Sequence, residues 1–184
     1  MNSFYLIRHA HTNWTQSEQC PLSAKGREDA RRIAGMLEKF PITALFSSPF
    51  QRAQETVAPL ATRLNLPILI EPDLRERKLG DGRITADFSA AVQWTWQNPT
   101  CAYPGGEANS AAQRRGVAIV QRLLEQYPQS HLVLSTHGNL LALVLQHYDP
   151  QIDFVFWKSL TMPDVYRLSL SRGNTPVISR LWQE

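Results

Sequence analysis

Cysteine is nearly missing from this chain. Cys20 and Cys101 are too few for a disulfide framework and stand in no metal-ligand spacing, so both are read as free thiols. Long apolar runs are missing too. No stretch approaches the roughly 20 residues that cross a bilayer, and Met1-Asn2-Ser3 lacks the basic flank of a signal peptide. A cytoplasmic protein without a membrane partner is expected. Lysine is scarce, 4 residues against 15 arginines, and the formal net charge of +3 is not gathered into a basic run with interleaved aromatics. A nucleic-acid partner is therefore not expected. No internal repeat or low-complexity tract is present.

What the chain does contain is enough apolar residue for one core. With 184 residues, 43% of them hydrophobic, it fits a single domain over 1–184 that buries roughly 70% of its unfolded surface. Phe4-Tyr5-Leu6-Ile7 reads as a strand covered on both faces, and it delivers Arg8, His9 and His11 where the strand ends. Ser23 is a plausible N-cap for a helix whose inward stripe is Ala30, Ile33, Ala34 and Leu37, stopped by Pro41. Thr43–Phe46 is a second strand. A helix from about Pro49 follows, with Ala53, Val57, Leu60, Ala61 and Leu64 inward and a kink or early end expected at Pro59. Pro67–Ile70 is a third strand.

Residues 81–106 look least regular and read as a lid-like insertion. Trp94, Trp96 and Tyr103 there fit either a binding loop or a satellite core equally well. A helix over about 107–127 leads to the fourth strand, Leu132–Ser135, and then to an apolar helix from Leu140 to Leu145. The segments 166–170 and 177–181, around Arg172-Gly173-Asn174, carry a hairpin signal. The expected fold is α/β: a three-layer αβα sandwich, its central sheet mainly parallel, with antiparallel edge strands near the C-terminus.

Parallel strands put their carboxyl ends on one edge, and ligands bind there. Those ends carry Arg8 and His9, Arg52, Glu76 and His137. Strands about 4.8 Å apart bring four such ends within roughly 15 Å. The set has a chemical logic. A neutral imidazole attacks without a partner base, and flanking cations keep it unprotonated. The same cations, Arg8, Arg52 and His137, would hold phosphoryl oxygens, while Glu76 protonates a leaving alcohol and then activates water. No metal or cofactor is needed for that scheme.

Leu6-Ile7-Arg8-His9-Ala10-His11-Thr12 and Ser47-Ser48-Pro49-Phe50-Gln51-Arg52-Ala53-Gln54-Glu55-Thr56 resemble the first two motifs of the histidine phosphatase superfamily, also called phosphoglycerate mutase-like. Pro21-Leu22-Ser23-Ala24-Lys25-Gly26 is similar to the link between them. Leu74-Arg75-Glu76-Arg77 and Thr136-His137-Gly138-Asn139 resemble its acid segment and second histidine motif. Pro104-Gly105-Gly106-Glu107 is similar to a motif of its broad-specificity phosphatase branch. The resemblance implies a phosphohistidine on His9, phosphate binding by Arg8, Arg52 and His137, and Glu76 as proton donor. Thr15, Arg77, Gly138 and Asn139 become possible substrate or phosphate contacts. Ala10 stands where the family has glycine and Thr15 where it commonly has asparagine.

The reading is thus a metal-independent phosphomonoesterase acting on a phosphorylated small molecule. The resemblance leaves phosphoglycerate mutase-type transfer as the nearest alternative, although family mutases carry longer insertions. A catalytically silent phospholigand-binding module is a third reading. A metallohydrolase built on His9-x-His11 fits poorly, because Arg8 would repel the cation.

Overall fold

Phe4 and Leu6 belong to one apolar cluster and Tyr5 and Ile7 to another, and all four are at most 1% exposed. Side chains of a strand alternate between faces, so this strand separates two cores. In the computed structural model, which describes residues 1–13, 17–81, 87–171 and 173–183, it is strand β1 (Asn2–Arg8) of a six-stranded sheet. The sheet also holds β2 (Ile42–Ser47), β3 (Ile68–Ile70), β4 (His131–Thr136), β5 (Asp164–Leu170) and β6 (Val177–Arg180), in the order β3-β2-β4-β1-β5-β6. The first four run parallel. The β5–β6 hairpin joins the free side of β1 antiparallel.

Helices α1 (Ala24–Leu37) and α2 (Gln51–Leu64) bury Ile33, Leu37, Val57 and Leu60 against Tyr5, Ile7, Leu45 and Val133 on one face. On the other face, α4 (Asn109–Gln126) and α5 (Gly138–Tyr148) cover Phe4, Leu6, Leu132 and Leu134. Each such side chain, removed from water, contributes about 1.5–3 kcal/mol. The three-layer sandwich read from the alternation of strands and helices is the observed architecture.

Three details differ from the expectation. Helix α2 does not end early at Pro59; it continues to Leu64 and closes on Asn65, whose φ of 53° places it in the left-handed region. Residues 81–106 contain a helix, α3 (Phe88–Gln97), capped by Asp87 and burying Ala91, Val92 and Thr95. Its mixed pattern of tryptophans and polar residues concealed it. A short helix, α6 (Phe154–Ser159), starts at Asp153, whose carboxylate accepts from the Val155 and Phe156 N–H groups.

The β1–α1 connection folds tightly back on itself. Thr12 bridges Leu22, the Ser23 N–H donates to the His11 carbonyl (3.0 Å), and the Ser23 hydroxyl caps α1 at the Gly26 N–H (3.0 Å). A Cβ on Gly26 would stand 2.1 Å from the His11 carbonyl oxygen. Alanine would add about 1 kcal/mol of helix propensity, yet the backbone beside it would have to move. Gly26→Ala is expected to destabilise by about 1–3 kcal/mol in denaturant melts; a stabilised variant would contradict the close approach.

Candidate active site

The carboxyl ends of β1, β2 and β4 and the segment after β3 gather the sequence-nominated residues at one edge. His9 follows β1 and is 7% exposed. Its Nδ1 lies 2.9 Å from the Ala10 carbonyl oxygen, which can only accept, so Nδ1 carries the proton. Arg52 Nε donates to His9 Nε2 at 3.2 Å, so Nε2 presents a lone pair. These two contacts assign the tautomer. Burial pushes the imidazole down to about 3, the Ala10 hydrogen bond opposes that, and Arg52 and Arg8 add to it.

Arg52 comes from the first turn of α2, where its guanidinium lies 4.7 Å from the centre of the Phe50 ring. That helix is tied to the loop that carries His9: the Ala10 N–H donates to Thr56 Oγ1 (2.9 Å), and Thr56 Oγ1 donates to the Arg52 carbonyl (2.6 Å). The Ala10 methyl group packs with Leu22 and Ala30 in a small apolar cluster. Arg8 is anchored from the far end of the sequence, its Nη1 donating to the Leu160 (2.8 Å) and Thr161 (3.2 Å) carbonyls. Its Nε is buried without a partner. A Cβ on residue 138 would come within 3.0 Å of that Nε, so Gly138 lets the guanidinium lie against the start of α5.

His137, the residue before α5, is wholly buried, its ring 5.2 Å from that of His9, centre to centre. Its Nε2 is 2.8 Å from Ser48 Oγ. Ser48 Oγ also accepts from the Phe50 N–H (3.3 Å). His137 Nδ1 is buried with no protein partner. Burial holds His137 well below the ordinary histidine range, with His9, Arg52, Arg115 and Arg8 adding to the shift. Among the described residues, then, the Arg8 Nε donor and the His137 Nδ1 ring nitrogen are buried and unpaired at one edge. An unpaired buried donor costs about 1–3 kcal/mol, and an arriving anion would remove that cost.

Glu76 accepts three backbone hydrogen bonds, from Arg77 (2.7 Å), Asn139 (3.0 Å) and Leu140 (3.1 Å). The last two are first-turn N–H groups of α5, which have no intrahelical partner. Arg77 is buried, with Nε and Nη1 unpaired. The Asn139 side chain is engaged by neighbours: its Oδ1 accepts from Trp96 Nε1 (3.0 Å) and its Nδ2 donates to Asn109 (3.3 Å). Trp96 is thereby placed against the core and not in an open loop, while Trp94 packs on Tyr103. Thr15 lies outside the described residues. His11 does not join His9; its Nδ1 is 2.8 Å from Ser23 Oγ. Among the described residues no group of three or more His, Cys, Asp or Glu is arranged to hold a metal ion.

Ser48, Thr56 and the Leu160 and Thr161 carbonyls were not singled out from sequence. The first two lie inside the second motif, where their spacing could have flagged them. The carbonyls are about 150 positions from Arg8 and carry no sequence signal.

The sequence model of the histidine phosphatase superfamily (branch 1) matches residues 4–179. The protein named Uncharacterized phosphatase PhoE, of Bacillus subtilis (strain 168), is 26% identical over 161 residues, covering 83% of this chain and 81% of its own. Phosphoglycerate mutase-like protein 4 of Arabidopsis thaliana is 28% identical over 179 residues, covering 89% and 78%. A mycobacterial glucosyl-3-phosphoglycerate phosphatase, solved with inorganic phosphate, superposes with a TM-score of 0.77 at 25% identity over 98% of this chain and 95% of that one. The chain belongs to the histidine phosphatase superfamily, branch 1. It is an enzyme of the phosphatase type.

The depressed histidines fix a pH dependence of stability. In the unfolded chain both bind protons near pH 6.5, in the folded one only well below it. The unfolded state therefore holds more protons between those limits, and stability rises with pH there. Their contribution is complete above about pH 6.5 and is lost as pH falls toward about 3 for His9. The urea midpoint is expected to drop between about pH 7 and 5, less steeply in His9→Gln. Equal slopes in both proteins would contradict the burial of a neutral His9.

Proposed function

We propose that the protein is a metal-independent phosphomonoesterase that hydrolyses a phosphorylated small molecule through a phosphohistidine on His9. The observation that carries this reading is the His9 tautomer, with Nδ1 bound to Ala10 and the Nε2 lone pair turned to Arg52. In the first step Nε2 attacks phosphorus, the ester P–O bond breaks, and Glu76 gives its proton to the departing alcohol oxygen. In the second step water attacks the phosphohistidine, Glu76 takes the proton back from that water, and the N–P bond breaks to release phosphate. Arg52 Nε, Arg8 Nε and His137 Nδ1–H are the fixed donors that take the phosphoryl oxygens. Their charge and hydrogen bonds supply the stabilisation that a Lewis acid supplies in other phosphatases.

Gly138 serves by its lack of a side chain, letting Arg8 approach. Arg77 sits beside Glu76 as a further cation, and Thr15 keeps its proposed phosphate contact. We read the chain as one domain in which the 81–106 insertion flanks the site, a reading supported by the bond from Trp96 to Asn139. The partner is a small molecule and not nucleic acid, in keeping with the dispersed positive charge. A cytoplasmic location fits a chain in which no described helix is long and apolar enough to cross a membrane.

His9→Ala is expected to lose at least about three orders of magnitude in p-nitrophenyl phosphate turnover, while wild-type turnover persists in EDTA. Quenching the wild-type enzyme in base during reaction with a 32P-labelled substrate should leave the label on His9. Label on another residue, or full activity in His9→Ala, would overturn the reading. One relative is named for a mutase, which shares the first step. Isomerisation of 3-phosphoglycerate outpacing phosphate release would place this chain with that relative instead.

A further inference from the structure

Glu76 is supplied by an irregular segment and not directly by a sheet strand end. Residues 71–81 contain a single 3-10 turn, Pro72–Leu74, and no other regular element. A general acid must nevertheless be held to a fraction of an ångström, because a 1 Å misplacement can cost about a hundredfold in rate. Something outside the segment has to fix it.

The backbone before Glu76 is gripped by an ion-paired side chain, and the backbone after it by the main chain of that side chain's partner. Arg115, in the second turn of α4, donates from Nε and Nη2 to the two carboxylate oxygens of Glu107, at 2.8 Å each. The pair is only 10% and 20% exposed. The remaining nitrogen, Nη1, donates to the carbonyls of Asp73 and of Arg75 (2.9 Å). From the other end of the pair, the Glu107 N–H donates to the Lys78 carbonyl (2.7 Å). Thr136 Oγ1 takes the Leu74 carbonyl (2.7 Å). The carbonyls of residues 73, 74, 75 and 78 are thus all occupied, and the first, third and fourth go to Arg115 and Glu107.

The glycines of Pro104–Glu107 make that grip possible. A Cβ on Gly106 would stand 2.3 Å from the Leu79 carbonyl oxygen, and Gly105 has a φ of 69°. The Asp81 N–H donates to the Pro104 carbonyl (3.1 Å), so the two backbones run against each other. The next residue of α4, Gly116, brings that helix against α5: a Cβ there would lie 2.5 Å from Val144 and 3.0 Å from Leu140. The α5 N–H groups of Asn139 and Leu140 hold the Glu76 carboxylate itself. Backbone and carboxylate of Glu76 are therefore referenced to the same packed pair of helices.

We infer that Glu107 and Arg115 are positioning residues for proton transfer by Glu76: their bidentate ion pair sets where the acid stands relative to the leaving oxygen. The inference rests on the acid role proposed for Glu76. It has a signature that a loss of folded protein lacks. A nitrophenolate leaves without a proton, whereas an alkoxide needs one in the transition state, and general acid catalysis of that kind is worth about 10²–10⁴-fold.

The experiment compares kcat/KM for p-nitrophenyl phosphate and for an alkyl phosphate in the same preparations of Glu107→Gln, Arg115→Lys and Glu76→Gln. The ratio of the two cancels any difference in active fraction. Arg115→Lys keeps the positive charge while removing the fork that binds Glu107 and the two carbonyls, separating position from electrostatics. Glu76→Gln is expected to depress the alkyl-over-aryl ratio most, and the two clamp variants to depress it about tenfold. If Glu76→Gln shifts the ratio and both clamp variants leave it at the wild-type value, the positioning role is overturned while the acid role stands. If Glu76→Gln itself leaves the ratio unchanged, the acid role falls and the positioning role falls with it.

Discussion

Two hydrogen bonds to one imidazole decide what this site can do. The Ala10 carbonyl fixes the proton of His9 on Nδ1, and Arg52 aims an N–H at the lone pair left on Nε2. A ring so arranged needs no base to become a nucleophile, and burial among cations keeps it from being protonated. The same cations that disfavour an imidazolium favour a phosphoryl group at that place. In the proposed mechanism, nucleophile activation and phosphate affinity therefore have one electrostatic cause.

Everything around the ring serves to keep it there. The loop holding His9 is fastened to α2 through Thr56, and Arg8 is held from behind by carbonyls that follow α6. His137 is oriented by Ser48, which sits at the end of the neighbouring strand. Parallel pairing of β1, β4 and β2 in register, Leu6 with Leu134 and Leu134 with Phe46, brings these three loops to one edge. Among the described residues, Arg8 Nε and His137 Nδ1 are buried without a protein partner at the edge proposed to take the phosphate, and Arg77 Nε and Nη1 are likewise unpaired beside Glu76. Unpaired polar groups converging on one edge are organised for an anion.

Much of this was legible from residue order. Continuous apolar runs ending in charged or histidine residues identify buried parallel strands and their ligand-bearing edge, so Arg8, His9, Arg52, Glu76 and His137 could be nominated together. The hairpin after Tyr166 was readable from Gly173 and its alternating flanks. Helix α3 was not, because its inward face consists of Ala91, Val92 and Thr95 and its tryptophans obscure the period. Of the kink or early end expected at Pro59, the early end does not occur, since tertiary packing of Val57, Leu60 and Ala61 carries α2 past it. Asn139 was nominated from the motif it shares with His137, while the bonds of its amide to Trp96 and Asn109 had no local signal. Contacts of high sequence separation, such as Arg8 with Leu160 or Arg115 with Arg75, leave no local trace at all.

The protonation state of His9 is the most direct test of this account. Long-range 1H–15N correlation spectra of the 15N-histidine-labelled enzyme report which ring nitrogen bears hydrogen and at what pH the second is gained. The account requires a neutral Nδ1–H tautomer for His9 that persists from pH 8 to about 5, well below the ordinary histidine value. A ring protonated at Nε2 in that range, or one titrating near pH 6.5, would contradict it.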